Sequence, residues 1–350
     1  MNFLLYTASG IGDIMQKLPM ASAIKAQYPD ANIDFLMGGP PSVLAINHQI
    51  LECQHYVRNI YWYINTHKLH FIKLLLQLRS NHYDLGIIIY RGTVLVGRKP
   101  TMWVFRLMRW GGVKKVAGLV RDQVDIFADV PEFAHYIERD RMTLDAAGIT
   151  APMTTLTIDK SKIDFGFENY DKLKQAKKII AFSVGTNVYP WETNGKTMMY
   201  DVKSWAYERW MELAVKLAGQ GFDVVLLGGR KEQHEMAEGN ISVPEGEHIF
   251  NFIGRTTLKQ SLALLSMCSL VVGAEGGMMH CASGLGVKTL TIFGGSDHRI
   301  WTPVGGEIIR LHPECAPCFS TRRAPECTYH KCLEDVTVDI VLDRITSMNI

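Results

Sequence analysis

The 350-residue sequence predicts an α/β protein built from two doubly wound, Rossmann-like domains in series. Three observations carry that expectation. Short apolar runs alternate with longer amphipathic ones, the pattern of parallel strands covered by helices on both faces. Several of the short runs end in glycine-containing turns, where the backbone can come close to a ligand. A polar, proline-containing stretch over 149–169 interrupts the alternation, and a second α/β series begins at Lys177.

The elements follow in order. Asn2–Thr7 reads as a buried first strand, followed by a glycine turn and a helical pattern from about Asp13 to Tyr28. Ile33–Met37, Val57–Trp62 and Leu85–Tyr90 read as further strands, with a helix over His67–Arg79 and another candidate strand at Val113–Leu119. In the second series Lys177–Val184, Asp223–Leu227, Leu270–Val272 and Thr289–Phe293 are the strands, and Trp205–Gln220 and Leu258–Met267 the helices. This places the domains at 1–168 and 169–350, the boundary falling between about 160 and 178. Such domains bind ligands at the carboxyl ends of their strands, and a pair of them is expected to face across a cleft.

A composition of 47% hydrophobic and 21% charged residues is that of a soluble globular chain. No apolar run approaches 18 residues, which argues against a transmembrane helix. The N-terminus lacks a basic region before its apolar run and reads as a strand, not a signal peptide, so the expected location is cytoplasmic. The net charge of +2 is small, but its distribution is uneven. Arg91, Arg98, Lys99, Arg106, Arg109, Lys114, Lys115 and Arg121 lie in one stretch with no acidic residue, interleaved with Trp103, Phe105 and Trp110. One reading is a helix with basic side chains snorkelling around an apolar face. The other is a surface for an anionic acceptor or an anionic inner membrane, with Arg91, Arg98, Lys99, Arg106 and Arg109 at its centre. No nucleic-acid motif accompanies the stretch, so nucleic acid is not an expected partner.

Four glycine turns could carry chemistry. Ser9-Gly10-Ile11-Gly12-Asp13 follows the first strand. Asp13 there is either a helix cap, worth roughly 1 kcal/mol, or a general base. The spacing is not the dinucleotide fingerprint, because the third glycine is missing. After the strand at 177–184, Thr186 offers a hydroxyl to a phosphate, and Lys203-Ser204-Trp205 opens a helix. Lys203 is a candidate counter-charge for a phosphate, or else a solvated lysine before a helix capped by Ser204. Gly228-Gly229 precedes Glu232, which either bonds a ribose or base edge or serves the helix dipole. Most informative is Glu275-Gly276-Gly277 between an apolar strand and a helix, with His280 one turn in. Successive N–H groups there form an anion-sized nest suited to a diphosphate.

On these residues the chain resembles glycosyltransferase family nine, the heptosyltransferase family, over nearly its whole length. The resemblance rests on Gly12-Asp13, Leu18-Pro19, Tyr28-Pro29-Asp30, Lys203-Ser204-Trp205 with Trp210, and Gly228-Gly229. It continues through Gly254-Arg255-Thr256, Gly277-Met278-Met279-His280 and Phe293-Gly294. It implies the GT-B fold and an inverting, metal-independent sugar transfer with Asp13 as general base. It implies Lys203, Gly276, Gly277 and His280 as contacts of the donor diphosphate. A nucleotide sugar such as ADP-heptose is the implied donor, and a lipopolysaccharide-core or related glycan or glycolipid the implied acceptor. No cofactor is implied for catalysis. The family usually carries Asp-Thr-Gly where this chain has Glu275-Gly276-Gly277, so a carboxylate is kept, a hydroxyl is lost and sugar specificity is left open. Another nucleotide sugar, a protein acceptor, an epimerase on the same fold and a non-catalytic sugar-nucleotide-binding module are the alternatives.

Seven cysteines without an export signal do not suggest disulfides. Four of them, Cys315, Cys318, Cys327 and Cys332, fall within 18 residues in a basic, proline-containing segment. They could hold a structural zinc or iron ion, or stand as reduced thiols.

Overall fold

The computed structural model describes residues 1–8, 10–38, 41–63, 68–89, 99–186, 189–193, 196–200, 202–312, 314, 316–318, 327 and 330–350. The chain divides into two compact units, Met1–Lys162 and Ile163–Ile350.

The first unit holds a six-stranded sheet: β1 (Asn2–Ala8), β2 (Asn32–Gly38), β3 (Val57–Tyr63), β4 (Leu85–Ile88), β5 (Lys115–Gly118) and β6 (Ile126–Phe127). All pairings are parallel, in the order β3-β2-β1-β4-β5-β6. β4 is apolar and buried throughout, and the middles of β1 and β2 are buried as well, with Asp34 of β2 a buried charge paired with Arg58. The crossovers run through α1 (Ile11–Gln27), α2 (Pro41–Glu52), α3 (Lys68–Ser80) and α4 (Lys99–Trp110), and α5 (Tyr136–Ala146) follows β6. α1 is buried from Ile14 to Ala21, and Pro19 lies inside it.

Helix α1 is tied to α5 by a buried ion pair, Lys17 Nζ to Asp140 Oδ1 at 2.9 Å. Burial pushes the Asp140 carboxyl up to about 6, against the opposing pull of Lys17 and Arg139. A carboxyl raised in the fold stabilises it fully below the ordinary aspartate range, and that contribution is lost as the pH rises through about 6. Urea unfolding between pH 4 and 8 should show this fall in the native chain and not in Asp140→Asn. Parallel curves for the two proteins would refute the assignment.

The second unit repeats the topology with β7 (Ile179–Ser183), β10 (Asp223–Leu227), β11 (Ile249–Asn251), β12 (Leu270–Ala274), β13 (Lys288–Ile292) and β14 (Glu307–Ile309). The order is β11-β10-β7-β12-β13-β14, again all parallel. An antiparallel hairpin, β8 (Tyr189–Thr193) and β9 (Lys196–Tyr200), is added after β7 in a stretch where the sequence suggested no element. Helices α6 (Tyr170–Gln175), α7 (Tyr207–Gly219), α8 (Arg230–Glu238), α9 (Leu258–Ser266) and α10 (Gly277–Gly284) complete the layers used below. One core joins Phe182, Trp205, Trp210, Leu226, Val272 and Ile292 with Val341 and Ile345 of the C-terminal helix Val338–Ser347. Each sheet reverses its direction of winding once, at β1/β4 and at β7/β12, and in such sheets ligands bind beyond the strand ends at that reversal.

Candidate functional site

In the second unit, the residues singled out from the sequence gather beyond the carboxyl ends of β7, β10, β12 and β13. Lys203 and Glu275, 72 positions apart in sequence, form a close ion pair, and both are buried. Ser296, in the turn after β13, donates its hydroxyl to Glu275 Oε2 at 2.8 Å. Burial works against the Glu275 charge. The Lys203 ammonium and its hydrogen bond, the Ser296 hydroxyl and nearby His280 outweigh it, so the carboxyl lies below the ordinary glutamate range. Glu275 is therefore a buried anion held between a cation and a hydroxyl.

Gly276 is the N-cap of α10 and no side chain caps that end of the helix. The first-turn N–H groups, with the positive end of the helix dipole, are what an anionic ligand needs. A Cβ built on Gly276 has Ala274 O, at 3.7 Å, as its nearest neighbour. A side chain would fit, so packing does not enforce glycine there. His280 is buried one turn into α10.

The neighbouring turn after β7 carries Thr186, which is buried. Its hydroxyl shares a 2.7 Å hydrogen bond with Ser204, and its carbonyl accepts from Lys231 Nζ at 3.0 Å. Ser204 is thus not the cap expected of it. α7 starts later, after Ala206, with no side-chain cap, and the Ser204 hydroxyl turns to Thr186 instead. Glu232 accepts from Gly229 N at 2.7 Å, the helix-end role. It also lies against Gly185, where a Cβ would come within 2.3 Å of the Glu232 carboxyl carbon, so a side chain there would displace the carboxylate. Ser296 was not singled out from the sequence. Its signal was a polar residue just past the Gly294-Gly295 turn, at the same sheet end as Glu275.

In the first unit Asp13 is half-buried in the first turn of α1, whose N-cap is Gly10. A methyl group at Gly10 would fall 2.5 Å from Asp13 Oδ2, so the carboxylate folds back over the turn that ends β1. Of the basic stretch, Arg91 and Arg98 lie outside the described residues, and Lys99 opens α4 with its side chain outside them too. Arg106 is exposed on α4. Arg109 is committed elsewhere: it donates to the carbonyls of Val113, at 3.0 Å, and Lys114, and lies 3.7 Å from Asp125. It closes the end of α4, as basic side chains near a helix C-terminus do.

Of the four clustered cysteines, Cys315 lies outside the described residues, Cys318 and Cys332 are buried and Cys327 is half-buried. A Cβ on Gly295 would meet Cys318 Sγ at 2.5 Å, so the cysteine segment packs directly on the turn that carries Ser296. Among the described residues no three metal-ligating side chains come together, and no helix is long and apolar enough to cross a membrane.

The family model for glycosyltransferase family 9 (heptosyltransferase) matches residues 72–329. Lipopolysaccharide heptosyltransferase 2 of Salmonella typhimurium is 28% identical, over 99% of this chain and 98% of that protein. Among solved structures, the Escherichia coli ADP-heptose lipopolysaccharide heptosyltransferase II superposes with a TM-score of 0.68 at 19% identity, covering 99% of this chain and 98% of that one. A family 9 glycosyl transferase from Veillonella parvula superposes with a TM-score of 0.76 at 14% identity, covering 99% and 96%.

Proposed function

Because the chain belongs to glycosyltransferase family 9, the heptosyltransferases, we propose that it transfers heptose from ADP-heptose to a hydroxyl of a lipopolysaccharide-core or related glycan acceptor, inverting the anomeric centre without a metal. The observation that carries this reading is the Lys203–Glu275–Ser296 cluster beside the uncapped N-terminus of α10, at the winding reversal of the second sheet. Lys203, the N–H groups at Gly276 and Gly277, and His280 act on the donor diphosphate. As the glycosidic bond breaks, negative charge builds on the departing diphosphate, and preorganised donors aimed there lower the barrier. Glu275 has no place beside a phosphate. Held by Lys203 and Ser296, it orients the lysine and presents its edge to sugar hydroxyls. Asp13, in the first unit, takes the proton of the acceptor hydroxyl as that oxygen attacks the anomeric carbon. Thr186 and Glu232 serve the nucleotide side of the donor. The names of the relatives support the heptose and the lipopolysaccharide acceptor. The roomy Gly276, in place of the threonine usual in the family, removes one donor contact.

Incubation with ADP-heptose and a core-oligosaccharide acceptor tests the reading. A β-to-α or α-to-β change at the transferred anomeric centre, with ADP released, is expected. ADP-heptose at 100 times its dissociation constant should also stabilise the fold by about 2.7 kcal/mol. A new sugar isomer formed from the donor alone would replace the reading with an epimerase, and binding without turnover would replace it with a non-catalytic module.

The four-cysteine segment supports a second element of the reading, a structural zinc or iron ion held by Cys315, Cys318, Cys327 and Cys332. Four thiolates leave no open position, so the ion would brace the Gly294–Ser296 turn and take no part in transfer. Protein purified without oxygen should carry about one equivalent of metal, the stoichiometry of a four-thiolate site. Less than about a tenth of an equivalent would dismiss the ion.

A further inference from the structure

The first unit presents an apolar face that its core does not use. Helix α3 turns Leu74 and Leu78 inward, yet Leu69, Ile72 and Leu76 on the opposite side are 83%, 53% and 62% exposed. Their spacing puts all three on one stripe of the helix. Beside it, α4 exposes Trp103 and Trp110, which meet edge to face at 6.4 Å, and Phe71 of α3 meets Trp110 at 6.3 Å. Arg79 Nε donates to the Trp110 carbonyl at 2.8 Å, so the two helix surfaces are joined. Among the described residues, five of the twelve exposed large apolar side chains lie on this one face. Scattered exposed apolar residues need no explanation, but a cluster marks a contact.

Charge selects the occupant. Neither α3 nor α4 contains an aspartate or glutamate, while Lys73 and Arg106 stand exposed among the apolar residues. A second copy of this chain meeting the face symmetrically would bring like charges together. An anionic lipid surface meets both features at once. Leucine, isoleucine and tryptophan enter the boundary between headgroups and acyl chains, and the long basic side chains reach the phosphates.

We propose that the outer face of α3 and α4 docks on an anionic lipid bilayer, with Leu69, Ile72, Leu76, Trp103 and Trp110 inserted and Lys73 and Arg106 on the headgroups. The choice of a lipid occupant rests on the proposed function, since a glycolipid acceptor is anchored in such a surface.

Flotation of the full chain with vesicles tests this. The native protein should float with phosphatidylglycerol–phosphatidylethanolamine vesicles and stay behind with phosphatidylcholine vesicles. The double variant Ile72→Ser/Leu76→Ser, and separately Arg106→Glu, should each reduce partitioning by about tenfold or more, the scale of losing the buried apolar area or a headgroup charge. These side chains are exposed, so thermal unfolding should not change. Absence of native binding, or equal binding by native and variant proteins, overturns the proposal. So does a native oligomer, seen by light scattering, that the double variant dissolves, because the face is then a protein contact. Transfer to a water-soluble, acyl-free acceptor should be the same for the native protein and the Ile72→Ser/Leu76→Ser variant. If the native protein floats but transfers nothing to that acceptor, the proposed function fails and the docking surface stands.

Discussion

Replacing Asp13 by asparagine is expected to lower the turnover number for sugar transfer by about 10²-fold or more, the scale of a lost general base. Asparagine keeps the shape of the side chain and its capacity to serve a helix N-terminus. Removing the charge from the first turn of α1 costs roughly 0.3–1 kcal/mol through the helix dipole. Turnover and stability should therefore separate, with a large loss of the first and a small change in the second. Donor affinity, measured by the shift in unfolding temperature with ADP-heptose, should stay near native because the proposed donor contacts, Lys203, Gly276, Gly277 and His280, belong to the second unit. Near-native turnover in this variant would reduce Asp13 to a helix-end residue, the other reading its position allows.

The second large effect is expected at the buried Lys203–Glu275 pair. Removing one member leaves the other charged and without its counter-ion in a desolvated place, which costs about 3–5 kcal/mol. Lys203→Met and Glu275→Gln should each destabilise the second unit on that scale, and the double variant should lose less than the sum. The pH dependence has a definite sign. Glu275 lies below the ordinary glutamate range in the fold, so its contribution is present above that range and is lost as the pH falls through its lowered value. In Lys203→Met burial acts on Glu275 without the opposing ammonium, so the deficit in stability against the native chain should be largest near neutral pH and shrink as the pH falls and the carboxyl takes up a proton. Lys203→Met should also weaken donor binding and slow transfer, since the counter-charge proposed for the diphosphate is gone. Glu275→Gln keeps the ammonium and should bind donor better than Lys203→Met does. A Lys203→Met protein with native stability and native donor affinity would remove both the structural and the donor role.

Much of this architecture is local and therefore readable along the chain. A strand buried on both faces is nearly all apolar, as residues 179–182 and 270–274 are. The glycines after β1, β7, β10 and β12 mark the turns at those strand ends. The strand-end positions of Asp13, Glu275 and Gly276 are legible from these short-range rules, whereas the roles expected of Asp13, Lys203, Gly276, Gly277 and His280 are what the family resemblance implies. The β8–β9 hairpin escaped, because its ten residues carry no alternation strong enough to separate a strand pair from a loop. Ser204 was misread for a related reason: a serine before a helical pattern usually caps it, and only the approach of Thr186 draws its hydroxyl away.

The sequence alone determined the two parallel α/β series and the glycine turns at their strand ends, including the one beside Glu275. Only the tertiary structure decided which residues meet there. Lys203 reaches Glu275, and Ser296 completes the cluster, because β7, β12 and β13 lie side by side in the sheet although helices separate them in the chain. The same holds for the outer stripe of α3. Its leucines look like core in any periodicity, and exposure appears only when the helix has packed its other face against the sheet. Periodicity and turn chemistry depend on neighbours a few residues away. Ion pairs and exposed faces depend on strand order and on which side of a helix the sheet covers, and those are properties of the assembled unit.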